Sequence, residues 1–246
     1  MQDGAREDES DEDERPLYRT GRLMLCPPRA RDAAALAIAV GNPKVAMSLF
    51  DVPYPYERAD AEILIARAAE GGRAHGTMLV ARCLETRALC GAAFRRPSEA
   101  SPGGADFSFF VAEPYWGRGY GTEIAHAMID DAFERGGAVR LWCAIRVTAG
   151  PARRVAEKCG FQFRDTGLAR SLATRGTVPV ERFVLERRVW AALKSWGGRE
   201  PVPARQSLGE VKAGPGAGSC AGAGPSPAVR GERQGSVDGD EESDAA

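Results

Sequence analysis

Apolar and polar residues follow two periods along the middle of this chain, and neither period persists at its ends. Leu17 to Leu25 alternates as a first strand, and "RARDAAALAIAV" has the Asp and Ala content of a helix start and body. "PYPYERADAEILIARAAEGG" predicts a turn and a second helix, with Glu57, Asp60 and Glu62 in its first turns, where they suit the helix dipole. "AHGTMLVARCLETRALCGAAFRR" fits a hairpin, turning at the central Glu-Thr-Arg. In "DFSFFVAE", Phe107, Phe109 and Val111 fall on one face of a strand. A glycine-rich loop follows, and then a helix whose inward stripe is Ile124, Met128 and Ala132 with Ala127 beside it. "AVRLWCAIRV" places Val139, Leu141, Cys143, Ile145 and Val147 on one strand face. "GPARRVAEKCGF" predicts a helix closed by Gly160 in the left-handed position. Strands around Phe161 to Leu168 and Val178 to Leu185 precede a short terminal helix through Trp190. The order β-α-α-β-β-β-α-β-α-β-β predicts one mixed α/β layer fold.

Composition narrows this to the middle of the chain. Of 246 residues, Met1 to Pro16 are mostly Asp and Glu, and residues 198–246 shift to Gly, Pro, Ala and Ser. Neither segment has the apolar content to offset chain entropy, so both are expected as disordered tails around one domain at residues 17–197. Acids and bases balance, which gives no sign of a nucleic-acid partner. The acidic tail reads as a solubilising extension, with attraction of a basic partner as the alternative. The acidic N-terminus is unlike a targeting peptide, and the longest apolar run, "AAALAIAV", is too short for a bilayer. Six cysteines without CxxC or His spacing argue for no metal and for a reduced, cytoplasmic protein. A two-residue turn at Thr86 and Arg87 would set Cys83 across from Cys90, where a disulfide is geometrically possible and two buried thiols are expected.

The candidate chemistry is concentrated in "YWGRGYGTE", where Gly117, Gly119 and Gly121 leave the backbone bare between a strand and a helix. A nucleoside-triphosphate loop would end in Gly-Lys-Ser/Thr, which is absent. A dinucleotide site would need G-x-G-x-x-G and an acid about 20 residues on, whereas the spacing here is G-x-G-x-G and the next strand ends in Ile145 and Arg146. Two readings remain: a tight turn packed on Trp116, or a pyrophosphate held by backbone amides, as in coenzyme A enzymes.

At this point the chain resembles the GNAT superfamily of acetyl-CoA-dependent N-acetyltransferases, and within it the RimJ/RimL-like ribosomal-protein branch. "TGRLMLCPPRARDAAAL" is similar to that branch's opening strand and helix, and "VPYPYERADAEILI" to its Pro-Tyr segment and second helix. "YWGRGYGTEIAHAMIDDAF" resembles the pyrophosphate motif Q/R-x-x-G-x-G/A, with Trp116 in the Q/R position, and "RRVAEKCGF" resembles the helix that follows. The resemblance implies a GNAT fold, a mixed and mostly antiparallel central sheet splayed between strands 4 and 5, with helices on both faces. It implies acetyl-CoA as co-substrate and no metal. The pantetheine arm would pair with the main chain at Phe110 and Val111. The pyrophosphate would lie on the amides of Gly117, Arg118, Gly119, Tyr120, Gly121 and Thr122, with Arg118 adding charge. The acceptor is expected to be a primary amine, on a protein N-terminus or a small molecule, attacking the thioester directly with an N–H near Val111 as oxyanion donor. A monomer or homodimer is expected, with no membrane partner.

The chain departs from that family at its acid. Ala149, Gly150, Pro151 and Ala152 stand where Asn-x-x-Ser is usual, and Ala156 stands where another route uses Tyr. The alternative function is therefore a catalytically degenerate acyl-CoA-binding module. A third is an interaction protein acting through its tails. Glu113, at the strand tip, is the candidate base or else a turn carboxylate; Tyr54 and Tyr56 wall the amine site or pack in the core. His126 and Asp130 read as a surface pair, Asp106 as solvated, and Cys143 and Cys159 as core residues.

Overall fold

The computed structural model describes residues 16–70, 76–99 and 101–196. Both expected tails lie essentially outside them, as does Cys220. In chain order the strands are β1 (Tyr18–Arg19), β2 (Leu23–Cys26), β3 (Thr77–Cys83), β4 (Leu89–Pro97), β5 (Gly104–Val111), β6 (Arg140–Arg146), β7 (Gln162–Ser171) and β8 (Gly176–Glu186). The helices are α1 (Ala33–Gly41), α2 (Pro43–Ala46), α3 (Arg58–Glu70), α4 (Tyr120–Glu134), α5 (Gly150–Lys158) and α6 (Arg187–Trp196). The fold is α/β, with one sheet in the order β1-β2-β3-β4-β5-β6-β8-β7.

Every neighbouring pair is antiparallel except β5 and β6. These two run parallel and pair only at their beginnings, Gly104 to Asp106 against Arg140 to Trp142. Beyond that point β5 stays on β4 as far as Val111, and β6 stays on β8 as far as Arg146. The sheet therefore opens as a V between two halves that are each continuously bonded. This is the expected splay; the fourth and fifth strands of the sequence pattern are β5 and β6, because its first strand is divided into β1 and β2.

Alternation along the strands produces two cores. On one face Leu23, Leu79, Phe107, Leu141 and Phe183 pack with Ile124, Met128 and Phe133 of α4. On the other, Met24, Val80, Ala92 and Phe110 pack with Leu36 of α1 and Ile65 of α3. Burying a side chain of this size gives about 1.5–3 kcal/mol, so the two clusters supply most of the driving force. A buried ion pair anchors each face. Arg95 Nε donates to Asp131 at 2.8 Å, where the Tyr18 hydroxyl also donates, and Arg82 binds Asp32 at the head of α1.

Several predicted details differ. The single strand expected over Leu17 to Leu25 is two, β1 and β2, separated by a turn in which the Thr20 N–H donates to the Leu23 carbonyl. The sequence pattern missed the single-turn α2, too short to express a period. Val139 and Val147 are about half exposed because they lie just beyond the ends of β6. The turn after β3 is wider than two residues. Cys83 N–H donates to the Ala88 carbonyl, and a register shift at Ala81/Arg82 absorbs the offset, so Cys83 faces Ala88 and not Cys90. Cys26, Cys83, Cys90, Cys143 and Cys159 are all buried thiols, none of them in a disulfide.

Candidate functional site

The glycine loop lies at the mouth of the V. A short 3-10 turn over Glu113–Tyr115 ends β5, and Gly119 is the N-cap of α4 with φ 81°, left-handed. An L side chain is strained there, and no side chain caps the helix. Among the described residues no carbonyl accepts from the amides of Gly117, Arg118, Gly119, Tyr120 or Gly121. Five consecutive unpaired N–H groups, running from the loop into the first turn of a 15-residue helix, make a concavity of the kind that suits an anion. Gly121 has a different reason to be glycine. A Cβ there would meet the Phe109 ring at 3.3 Å and Val111 and Val155 at 3.5 Å, so its bareness seats α4 against β5 and α5.

Charge at the loop comes partly from far along the chain. Arg22 lies over the Tyr120 ring at 4.8 Å, and its Nη2 would stand 3.2 Å from a Cβ on Gly119. It is held there by Glu123, which accepts from Arg22 Nε at 2.7 Å and from the Thr20 hydroxyl at 2.5 Å. Sequence pattern had not marked Arg22, because the partner that places it is 101 positions away. Arg118 is exposed, 5.7 Å above the Tyr115 ring. The residues present fit a pyrophosphate: bare amides, a helix N-terminus and two arginines.

On β5 the register corrects one expectation. The Ala112 N–H donates to the Cys90 carbonyl and Phe110 pairs with Ala92, so the main chain of Phe110 is committed to β4 and its ring is buried. The backbone groups turned toward the V are those of Phe109 and Val111. Both side chains are half-buried against the α4 core. The Val111 carbonyl already accepts from Trp116 Nε1 at 2.6 Å, which leaves its N–H available. On α5, Ala149 caps without a side-chain bond, and Ala149, Ala152 and Ala156 put no hydroxyl near the cleft. Glu113 is engaged at both oxygens, by Asn42 Nδ2 at 2.5 Å and by Lys44. Those two hydrogen bonds, that from Lys44 first, hold its carboxyl below the ordinary value.

The opposite side of the V is roofed by the segment between α2 and α3. The Leu172 N–H, at the β7–β8 turn, donates to the Phe50 carbonyl at 2.9 Å and ties that turn to the roof. Tyr54 is partly exposed, while Tyr56 is buried in the cluster that includes Phe110, with no partner for its hydroxyl. Burial, with Asp60 nearby, raises the Tyr56 pKa to about 12. Below the roof, Trp142, Ala144 and Arg146 of β6 share a face with Asp106 and Ser108 of β5. Trp142 Nε1 and Arg146 Nε are buried donors without acceptors, each costing about 1–3 kcal/mol if left unmet. Asp106 is not simply solvated, since Arg96 joins it to Asp51.

Residues 22–162 match the family described as acetyltransferase (GNAT) domain. No curated protein aligns significantly with the sequence. Among solved structures, the chain is similar to spermidine N-acetyltransferase from Vibrio cholerae, in complex with CoA and spermine. That likeness has a TM-score of 0.61 at 16% identity and covers 70% of this chain and 99% of the other. It is similar to the RimL ribosomal L7/L12 α-N-protein acetyltransferase in complex with coenzyme A, with TM-score 0.59, 16% identity, and coverage of 70% and 97%. A third is the ribosomal-protein-S5-alanine acetyltransferase from Vibrio fischeri, with TM-score 0.60, 11% identity, and coverage of 70% and 97%. At these identities the likeness concerns the fold.

Proposed function

Because the chain belongs to the GNAT acetyltransferase family, we propose that it transfers acetyl from acetyl-CoA to a primary amine, on a peptide N-terminus or a small molecule. The observation that carries this is the V itself, with unpaired loop amides at its mouth and a free Val111 edge along one side. In this reading the amides of Gly117 to Gly121, with Arg118 and Arg22, receive the pyrophosphate, whereas the Thr122 N–H, expected among them, is already given to the Gly119 carbonyl at 3.1 Å. The Phe109 and Val111 edge takes the pantetheine. Bound acetyl-CoA supplies an activated thioester, and the Val111 N–H faces the negative charge that develops on the acyl oxygen. Glu113 receives the amine proton through a water, since both its oxygens are already engaged. No α5 hydroxyl protonates the departing thiolate. A thiol pKa of ~8.5 lets solvent do so.

The test is thiol release from acetyl-CoA by the full chain against a panel of amines. Amine-dependent release is expected. Tight CoA binding with no amine-dependent release would replace this reading by the acyl-CoA-binding module.

A further inference from the structure

Trp142 and Arg146 stand four residues apart on the roofed face of β6, about 13 Å along the strand. Between them Ala144 is small and exposed, and across the V so is Ser108. An indole and a guanidinium therefore wall a trough whose floor nearly lacks side chains. Both walls are donors only. Trp142 Nε1 has no acceptor, and Arg146 gives one N–H to the Ser171 hydroxyl at 2.8 Å while its Nε has none. Arg146 lies 5.9 Å from the Phe50 ring, inside the roof. Among the described residues no carboxylate pairs with it, whereas Arg96 at the other end of the same face has both Asp51 and Asp106. Burial also draws the Arg146 pKa down, as expected for a cation short of a counter-ion. The face thus carries two acids on one arginine at one end and an unanswered guanidinium at the other.

We propose that the amine acceptor carries a carboxylate, bound by Arg146, while its amine reaches into the V. This rests on the acetyltransferase reading and names its substrate class. A guanidinium takes a carboxylate through paired N–H bonds, and Arg146 has its Nε–H unmatched. A polyamine would instead bring a second positive charge against Arg146. The carboxylate has two sources, the α-carboxylate of a free amino acid or an acidic side chain near a peptide N-terminus.

The experiment measures binding to the full-length, CoA-loaded protein by titration calorimetry. The probes are alanine against alaninamide, Ser-Glu amide against Ser-Gln amide, and spermidine. The expected result is that one acid binds at least about 10-fold tighter than its neutral partner, the alanine arm pointing to amino acids and the dipeptide arm to peptides. Arg146→Gln should remove that preference with CoA affinity unchanged, and Arg146→Lys should keep part of it. Equal binding of acid and amide in both arms by the wild-type protein overturns the proposal, and so does tighter binding of spermidine. Thiol release is measured separately with the same probes. Its absence would count against acetyl transfer, and the binding preference would still decide the carboxylate site.

Discussion

Glu113 shows how much a single side chain can be redefined by its neighbours. Its position at the tip of β5 suggested a base, yet Lys44 and Asn42 engage its two oxygens and lower its pKa. The sign matters for any pH profile. A carboxylate with a depressed folded pKa stays ionised at and above the ordinary carboxylate range and loses its charge only as pH falls through the depressed value. Between pH 6 and 9, then, Glu113 does not titrate, and the rise of activity with pH follows the acceptor amine, whose pKa is ~8 for an α-amino group or ~10.4 for an alkylamine. The proposed water relay predicts that Glu113→Gln lowers kcat/KM by roughly 10²-fold at pH 7. That loss should shrink as pH approaches the amine pKa, with CoA affinity unchanged. A pH series of kcat/KM for both proteins checks this. Wild-type rates at pH 7 would leave Glu113 a tether between the end of β5 and α2.

At the scale of elements, α4 and β5 meet through two glycines with separate duties. Gly119 holds a left-handed turn, and Gly121 admits the side chains of Phe109, Val111 and Val155. Gly119→Val should cost CoA affinity at least about 100-fold, because relieving φ moves the amides away from one another, with melting lowered only a few degrees. Gly121→Ala should keep most CoA affinity, since its methyl needs only a few tenths of an ångström from a ring edge. Gly121→Val crowds three side chains at once and should lower both affinity and Tm. Calorimetric CoA binding beside thermal melts separates the cases, and near-normal affinity in Gly119→Val removes the loop from the site. These elements were legible because "DFSFFVAE" and the α4 stripe express clear periods on either side of the glycines. What periodicity leaves open is which backbone edge is free. Phe109 and Phe110 differ by one residue, yet pairing with β4 gives the cleft to one and the ladder to the other. Arg22, Trp142 and Arg146 were invisible for a related reason, their meaning being set by partners on other strands.

For the whole molecule, the sheet is a partition with one opening. The α4 and α5 face presents the glycine loop, the α1 to α3 face presents the roofed trough, and the V joins them. Such an arrangement lets two substrates approach from opposite sides and meet where β5 and β6 part, and every residue assigned to either side lies between Arg22 and Leu172. The buried members of both cores lie between Leu23 and Leu185, with Leu17, Tyr18, Val189 and Trp190 packed at their margin. Acetyl transfer should accordingly be a property of that span alone. A chain trimmed to residues 16–196 is expected to melt within a few degrees of the full protein and to keep CoA affinity and kcat/KM within about twofold. Melting, calorimetry and thiol release on the two chains make the comparison. Loss of CoA binding with an unchanged melt would mean that the co-substrate site extends past the span. Intact CoA binding with amine turnover lost would mean that the acidic or the Gly- and Pro-rich segment recognises the acceptor, and that the trough under Phe50 is only part of its site.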